Sequence, residues 1–251
     1  MIDLSGRRVL VTGGGRGIGA ACCRLFARAG AAVAINYRDA SARAEAVLAE
    51  LREISNVHHF AFRADVSEPA AVDALFAAVE ERWGGLDCLV NNAGVWWHNP
   101  IETLDLERYE KTMAINVTGP FLCARAAVPF LREVEDGNIV NLTSTAGQRG
   151  EAFHSPYAAS KGAMISATKA WSSELAPAVR INSVAPGWVD TEMCDQPFAG
   201  GGRERIAAGI PLGRVASAED IAGPVVFLAS PLARHVTGEI LNVNGGSVLA
   251  G

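Results

Sequence analysis

The sequence lacks the cysteine and histidine patterns that mark disulfide frameworks and metal centres. Its five cysteines form no Cys-x-x-Cys pair, and no histidine stands at a metal-ligand spacing from them. The odd cysteine count predicts reduced thiols in a cytoplasmic protein rather than disulfides. We therefore predict no metal site.

Positive net charge and long apolar runs are also missing. The formal net charge is −5, so the chain as a whole has no attraction for nucleic acid or an anionic membrane. No apolar run reaches the length expected of a membrane span, and the start Met1–Ser5 does not resemble a signal peptide. The sequence predicts neither a nucleic-acid nor a membrane partner.

Apolar residues are plentiful, and their pattern indicates the fold class. They make up 49% of 251 residues, and charged residues 20%, which favours a large buried core over disorder. Short β-branched runs alternate with Ala-rich segments of helix length, and strands joined in this way pair in parallel. We predict a single α/β domain over residues 1–251: a doubly wound parallel sheet of about seven strands, with helices on both faces. The strands are predicted at 8–12, 32–36, 59–63, 86–91, 138–142, 180–184 and 240–243, and a flexible substrate loop near 188–210, richest in glycine at 196–202.

A glycine-rich segment, Thr12–Gly19, follows the first predicted strand and opens the first helix. Glycine lets the backbone approach a pyrophosphate, and the helix N-terminus presents free N–H groups to it. The spacing is G-x-x-x-G-x-G rather than the commoner G-x-G-x-x-G. The predicted cofactor contacts in this loop are Gly13, Gly15, Arg16, Gly17, Ile18 and Gly19.

The end of the second strand indicates which nicotinamide cofactor binds. An acid there would bind both ribose hydroxyls and repel a 2′-phosphate, but the chain reads Asn36-Tyr37-Arg38. Arg38 can pair with a 2′-phosphate, and Arg16 adds a second positive charge. We predict NADP(H) as the preferred cofactor; Asp39, which can reach the ribose, keeps NAD(H) open.

Tyr157 and Lys161 stand four residues apart, on one face of a predicted helix that Ser155 and Pro156 begin. Reduction of a ketone puts negative charge on its oxygen, so a proton must be delivered there. A free tyrosine, with a pKa of about 10, is a poor base near neutral pH, and a nearby ammonium lowers that pKa. We predict Tyr157 as general acid or base, with Lys161 lowering its pKa.

Two further polar residues belong with this pair. Ser144 ends a predicted strand at the edge where α/β sheets place their ligands, and it can donate a hydrogen bond to the substrate oxygen. Asn116 interrupts a long helical stretch and can hold a water near Lys161.

Together these features resemble the short-chain dehydrogenase/reductase family over essentially the whole chain. The matching segments are Thr12–Gly19, Asp65-Val66, Asn91–Gly94, Asn116, Ser144, Tyr157 with Lys161, and Pro186–Thr191. The resemblance implies a Rossmann fold, a catalytic tetrad of Asn116, Ser144, Tyr157 and Lys161, and a homotetramer or homodimer. It also implies that Tyr37-Arg38 favours NADP(H). The implied cofactor contacts are Asp65 and Val66 at adenine, Asn92, Ala93 and Gly94 along the cofactor, Lys161 at the nicotinamide ribose, and Val189 and Thr191 at the carboxamide, with Tyr157, Asn36, Pro186 and Gly187 as further contacts.

Within that family, the ending Asn244-Gly245-Gly246 is similar to 3-oxoacyl-[acyl-carrier-protein] reductases. Those enzymes carry basic residues that dock the acidic carrier protein, whereas the corresponding segment here, Leu131–Asp136, is acidic. The expected substrate is therefore a small-molecule carbonyl compound or secondary alcohol.

Five residues are candidates for substrate contact by family geometry. Trp96 and Trp97 can line a pocket for an apolar or aromatic substrate, or pack into the core or a subunit interface. Trp188 and Met193 follow the Pro186-Gly187 turn. His154 either assists substrate binding or lies on the surface.

Three alternatives to a carbonyl reductase stay open. One is an NAD(H)-dependent dehydrogenase of sugars, polyols or hydroxy compounds, and another is epimerisation or dehydration on the same scaffold. The third is a cofactor-binding regulator without turnover, which the complete tetrad disfavours.

Overall fold

Seven strands form one parallel sheet in the computed structural model, which describes residues 2–249. They are β1 (Arg8–Val11), β2 (Ala32–Tyr37), β3 (Phe60–Arg63), β4 (Cys88–Asn91), β5 (Gly137–Leu142), β6 (Val179–Pro186) and β7 (Ile240–Val243). Their order across the sheet is β3-β2-β1-β4-β5-β6-β7, and every neighbouring pair is parallel. The predicted doubly wound parallel sheet is confirmed.

Ten α-helices connect and cover the strands in the part of the chain that the structure describes. They are α1 (Gly17–Arg28), α2 (Ser41–Ile54), α3 (Pro69–Trp83), α4 (Leu106–Met113), α5 (Gly119–Arg132), α6 (Thr145–Arg149), α7 (Ser155–Leu175), α8 (Asp195–Phe198), α9 (Gly202–Ala208) and α10 (Ala218–Ala229). A π-helical turn, Ala114–Thr118, joins α4 to α5.

The sheet is buried on both faces, which explains why its strands read as nearly continuous apolar runs. Because side chains alternate along a strand, Val9 and Val11 join the apolar cluster that includes Phe26 of α1, whereas Leu10 joins the cluster that includes Met164 of α7. All five side chains are almost fully buried. Helices therefore pack on both faces.

The site is positioned by the reversal of strand order between β1 and β4. From β1 the chain winds outward to β2 and β3, and then returns to place β4 on the other side of β1. The loops that leave the carboxyl ends of β1 and β4 diverge, and such a topological switch point opens a crevice in doubly wound sheets.

One expectation about apolar segments is wrong. The α4, π-turn and α5 segments form one continuous helix, Leu106–Arg132, which is long enough to span a membrane and whose most apolar 18-residue window has a mean hydropathy of 1.3. Within the fold, 44% of its most apolar window is buried, including Ile115 and Asn116 of the π turn. A partly buried core helix of a globular protein meets the same criterion, so this helix is weak evidence for a membrane span.

Residues 188–210, here called the cover segment, contain more regular structure than the predicted flexible loop. The segment forms a 3₁₀ turn, Glu192–Cys194, followed by α8 and α9. Asp190 and Arg203 form a salt bridge of 2.6 Å, and the Trp188 and Phe198 rings lie 6.0 Å apart. These contacts hold the first residues of the segment against α8 and α9.

Candidate active site

A cleft of about 460 Å³ lies at the carboxyl ends of the central strands. Most of the residues predicted to bind cofactor or substrate line it. They are Gly13, Gly15, Arg16, Gly17, Ile18, Asn36, Tyr37, Arg38, Asp65, Val66, Asn92, Ala93, Gly94, Trp96, Ser144, Tyr157, Lys161, Pro186, Gly187, Trp188, Val189, Thr191 and Met193. The topology thus brings residues from distant parts of the sequence to one surface.

Four predicted site residues lie behind the cleft wall rather than on it, as judged over residues 2–249. Gly19 is buried under the glycine loop, where a side chain would collide with the carbonyl of Gly13. Asn116 is buried, Trp97 is half-buried, and His154 stacks on the ring of Trp96. Their predicted roles in binding or catalysis stay predictions, and in this structure their contacts are with neighbouring parts of the chain.

The glycine loop has the form required to hold a pyrophosphate. Gly13 has φ = 63°, and a Cβ there would lie 3.0 Å from Cα of Ala93, so only glycine fits. Helix α1 begins at Gly17. The side chain of its N-cap residue, Arg16, makes no capping hydrogen bond to the first turn. Those N–H groups and the positive end of the helix dipole are left for an anion. The loop therefore fits a dinucleotide cofactor.

Two asparagines hold the loop in this form. The Asn92 side-chain amide donates hydrogen bonds to the carbonyls of Thr12 at 2.8 Å and Gly13 at 3.1 Å. The Asn36 amide donates to the carbonyl of Ala64 at 3.0 Å, and its Oδ1 accepts from Gly13 N–H at 3.4 Å. Both residues were predicted as cofactor contacts, and the structure gives them a positioning role as well.

The arginines at the nucleotide end of the cleft all have carboxylate partners. Arg38 pairs with Asp39 at 2.6 Å and with Asp65 at 3.6 Å. Arg16 pairs with Glu192 of the cover segment at 3.2 Å, and Arg43 of α2 bonds to both oxygens of the same carboxylate. The predicted positive pair, Arg16 and Arg38, is therefore present but electrically compensated.

The catalytic end of the cleft joins α7 to the end of β5. Tyr157 and Lys161 lie in the first half of α7, and Lys161 Nζ is 5.8 Å from the centre of the Tyr157 ring. Ser144 caps α6 by accepting a hydrogen bond from Ala146 N–H at 3.1 Å, and its side chain lies close enough to Tyr157 to influence the pKa of the phenol. The structure therefore brings the predicted proton donor and its co-donor into contact.

Burial shifts the pKa values of both catalytic candidates. It raises the pKa of Tyr157 to about 12; the hydrogen bond with Ser144 opposes this increase, and the negative charge of Glu151 adds to it. Burial also lowers the pKa of Lys161 to about 8. The predicted lowering of the Tyr157 pKa by Lys161 is not observed, because desolvation dominates and the Lys161 ammonium donates instead to the carbonyl of Leu142, 2.7 Å away.

Asn116 connects the loop after β4 to α7. Its Oδ1 accepts from Val95 N–H at 2.9 Å, and its Nδ2 donates to the Val95 carbonyl at 2.9 Å and to Ser160 Oγ at 3.0 Å. Ser160 in turn donates to the carbonyl of Tyr157 at 2.7 Å. The side chain of Asn116 is thus occupied in positioning this loop against the catalytic helix.

Gly147 is a positioning residue that the sequence pattern did not reveal. A Cβ at this position would lie 2.6 Å from the carbonyl carbon of Lys161 and 2.7 Å from the nitrogen of Gly162. Its lack of a side chain lets α6 lie directly against α7. That close approach places Ser144 beside Tyr157.

Aromatic rings form the wall at the substrate end. Trp96 stacks on His154 with ring centres 4.2 Å apart and planes 4° from parallel, and it meets Trp188 edge-on at 6.2 Å. The indole Nε1 of Trp96 donates to a Glu151 carboxylate oxygen at 3.1 Å. Trp96 is therefore held on one face and at its polar edge before any substrate binds.

Comparison with known proteins agrees with this arrangement. The family profile described as Enoyl-(Acyl carrier protein) reductase matches residues 13–247. The chain is 37% identical to a 3-oxoacyl-[acyl-carrier-protein] reductase of Synechocystis sp., over 99% of this chain and 100% of that protein. The chain belongs to the short-chain dehydrogenase/reductase family. A crystal structure titled Short-chain dehydrogenase/reductase SDR:Glucose/ribitol dehydrogenase, from Brucella melitensis, matches with a TM-score of 0.94, 35% identity and 99% coverage of both chains.

Relatives of this short-chain dehydrogenase/reductase differ in their named substrates at nearly the same similarity. A sorbitol dehydrogenase of Cereibacter sphaeroides is also 37% identical, over 97% of this chain and 98% of that protein. Identity of this degree shows the family and its oxidoreductase chemistry. It does not distinguish an acyl thioester from a polyol.

Sequence reasoning missed several cleft residues of this family member, three of which are charged. Arg149, Glu151, Glu192 and Cys194 line the cleft, and Arg43 reaches Glu192 from α2. Arg149 and Glu151 lie between Ser144 and Tyr157 in the sequence. That position was a signal that they could line the same cleft. Glu192 and Arg43 are 149 residues apart, and nothing in the sequence pairs them.

Proposed function

We propose that this short-chain dehydrogenase/reductase is an NADP(H)-dependent oxidoreductase that moves a hydride between nicotinamide and a carbonyl compound or secondary alcohol. The observation that carries the proposal is the half-buried Tyr157, which lies beside Ser144 and close to Lys161 in the same cleft as the glycine loop. In this proposal Tyr157 is the general acid or base.

The cleft offers a holder for each part of the dinucleotide. The free N–H groups at the start of α1 would hold the pyrophosphate, and Arg38 with Arg16 would hold the 2′-phosphate. Family resemblance assigns the nicotinamide ribose to Lys161 and the carboxamide to Val189 and Thr191. When bound, the nicotinamide donates or accepts the hydride.

The proton step follows from the protonation states of the chain's own residues. With a pKa of about 12, the phenol of Tyr157 carries its proton at neutral pH, so Oη can donate it as negative charge develops on the substrate oxygen. The Ser144 hydroxyl can donate a hydrogen bond to the same oxygen. Lys161 is mainly charged below pH 8, and its Nζ, 5.8 Å from the centre of the Tyr157 ring, can stabilise the phenolate left behind. This resting state favours carbonyl reduction.

A second candidate is an NAD(H)-dependent dehydrogenase of sugars or polyols. The Glu151 carboxylate lines the substrate end of the cleft and can accept hydrogen bonds from substrate hydroxyl groups. The named activities of a sorbitol dehydrogenase and of a galactitol 2-dehydrogenase among the relatives support this candidate. Asp39, beside the cofactor end, supports NAD(H).

We propose a free small molecule rather than a carrier-bound substrate. The segment that follows α5 exposes Glu133 and Glu135, which would repel an acidic carrier protein.

We further propose a cytoplasmic homotetramer or homodimer. The free thiols of all five cysteines support a cytoplasmic location. The exposed apolar side chains of Leu106, Tyr109 and Phe121 support an interface between subunits.

A substrate panel tests the proposal. Ketones, ketoses, polyols and acyl thioesters are assayed with NADPH and NADH by absorbance of the reduced nicotinamide. We expect reduction of a small ketone or ketose with NADPH. Turnover of polyols with NAD⁺ alone would favour the second candidate, and no turnover of any compound would contradict both.

A further inference from the structure

The nucleotide end of the cleft contains an arginine cluster (Arg16, Arg38 and Arg43). Arg38 directly follows β2, and Arg16 lies in the glycine loop. Helix α2 begins at Ser41, and a Cβ on Gly15 would lie 3.4 Å from Ala44, so the first turn of α2 lies against that loop. Arg16 and Arg38 line this end of the cleft, and Arg43 reaches the carboxylate of Glu192 that Arg16 also binds.

Three carboxylates compensate the arginine cluster. Asp39 and Asp65 bond to Arg38, and Glu192 bonds to Arg16 and Arg43. The cluster and its partners therefore have no net formal charge. A 2′-phosphate that binds these arginines must therefore compete with carboxylates that already bind them.

Glu192 differs from the other two carboxylates in where it comes from. Asp39 is next to Arg38 in the chain, and Asp65 belongs to the loop after β3, where Ser67 donates to it at 2.6 Å. Glu192 lies in the cover segment, which approaches from the far side of the cleft; the neighbouring Thr191 side chain would be 3.3 Å from a Cβ on Gly17. Glu192 thus bridges the cover segment and the cofactor end.

We propose that Glu192 competes with the 2′-phosphate of the cofactor for Arg16 and Arg43, and so limits the preference for NADP(H) over NAD(H). The inference rests on the proposed dinucleotide function. A phosphate monoester carries a charge of about −1.5 to −2 near pH 7 and must take these arginines from Glu192. A cofactor without that phosphate leaves both pairs in place.

The exposure of these pairs sets the size of the effect. The side chains of Arg16, Arg43 and Glu192 are each about half exposed, at 59%, 52% and 49%. Exposed pairs are weak and screened, so a phosphate displaces them at a modest cost, which we expect to be about tenfold in affinity.

The test is a binding comparison between Glu192→Gln and a matched control in the full-length chain. Asp190→Asn removes one negative charge from the same segment, but its carboxylate pairs with Arg203 rather than with the arginine cluster. The probes are NADPH and NADH, followed by nicotinamide fluorescence, and adenosine 2′,5′-bisphosphate and 5′-AMP, followed by calorimetry.

We expect Glu192→Gln to tighten NADPH and the bisphosphate by about tenfold, and NADH and 5′-AMP by less than about twofold. Asp190→Asn should change no probe by more than about twofold. In a Glu192→Gln background, Arg43→Ala should remove most of the gain for the bisphosphate.

Two results would overturn this inference while leaving the proposed function intact. If Glu192→Gln changes NADPH and NADH equally, Glu192 acts only by holding the cover segment closed. If neither changes, no competition exists. A wild-type chain that binds neither cofactor would instead overturn the proposed function and this inference together.

Discussion

The two ends of the cleft are built in different ways. At the nucleotide end, glycines, backbone N–H groups and the start of α1 form the binding surface, and Thr12, Asn36 and Asn92 hold it by hydrogen bonds to backbone. At the substrate end, Trp96 and Glu151 come from separate loops and hold each other through their side chains. The nucleotide end therefore depends mainly on backbone geometry, whereas the substrate end depends on which side chains are present.

The two ends also differ in solvent exposure, which decides how charges behave. The ion pairs of the nucleotide end are exposed and screened. At the catalytic end Lys161 is buried and Tyr157 is half-buried, and desolvation raises the pKa of Tyr157 to about 12 and lowers the pKa of Lys161 to about 8. Changes at the catalytic end should accordingly have larger effects than changes among the surface charges.

The largest effect should come from Tyr157→Phe, which removes the proton donor and keeps the ring. We expect kcat to fall by about a thousandfold with the affinity for NADPH nearly unchanged, because general acid catalysis contributes about 10² to 10⁴ in rate. Steady-state kinetics and fluorescence titration measure the two quantities. Tyr109→Phe, on the surface of α4, is the control and should retain full activity. An active Tyr157→Phe enzyme would exclude this residue as the proton donor.

A smaller loss should follow from Trp96→Leu, which removes part of the substrate wall. We expect kcat/KM to fall by about thirtyfold, or about 2 kcal/mol, with cofactor affinity unchanged. The neighbouring Trp97→Leu removes an equal ring that does not line the cleft and should cost much less activity. If the two variants lose activity equally, or if Trp96→Leu weakens NADPH binding, the two ends are not separate in the way described.

At the nucleotide end, Arg38→Ala should weaken NADPH by about tenfold, since a hydrogen bond to a charged partner contributes about 1.5 kcal/mol. The loss of affinity is limited because Asp39 and Asp65 already bind this guanidinium. NADH affinity should change by less than about twofold. Fluorescence titration of both cofactors checks the ratio, and equal weakening of the two would remove Arg38 from phosphate recognition.

The smallest effect concerns the acid sensitivity of the nucleotide half. His59 Nδ1 accepts a hydrogen bond from Val33 N–H at 3.1 Å, and burial lowers the His59 pKa below its ordinary value of 6.5. Protons therefore bind the unfolded chain more readily, so the stability from His59 is complete above pH 6.5 and declines as the pH falls below it. In urea unfolding, His59→Asn should lose less stability than wild type between pH 8 and pH 5.5, whereas the exposed His58→Asn should behave as wild type. An unchanged decline in His59→Asn would place the acid-sensitive group elsewhere.

The features predicted correctly from the sequence are those that depend on local backbone geometry. The strand–loop–helix at Thr12–Gly19, the parallel sheet, and the i, i+4 pair on α7 all follow from spacing and residue type. The Tyr157 pKa could not be predicted, because desolvation depends on packing by residues far apart in the chain. The ion pairs of Glu192 could not be predicted either, because its partners come from the glycine loop and α2. The helix of membrane-spanning length was not predicted because its apolar residues do not form one unbroken run.

The central claim, that a hydride passes between nicotinamide and a carbonyl carbon beside Tyr157, is tested most directly by isotope transfer. NADPH deuterated at both C4 positions is incubated with the ketone or ketose that the substrate panel shows to be reduced fastest, and the product is examined by NMR and mass spectrometry. We predict one deuterium on the new carbinol carbon with wild-type enzyme, and almost no labelled product with Tyr157→Phe. Product that forms without deuterium, as epimerisation or dehydration would give, would contradict the account.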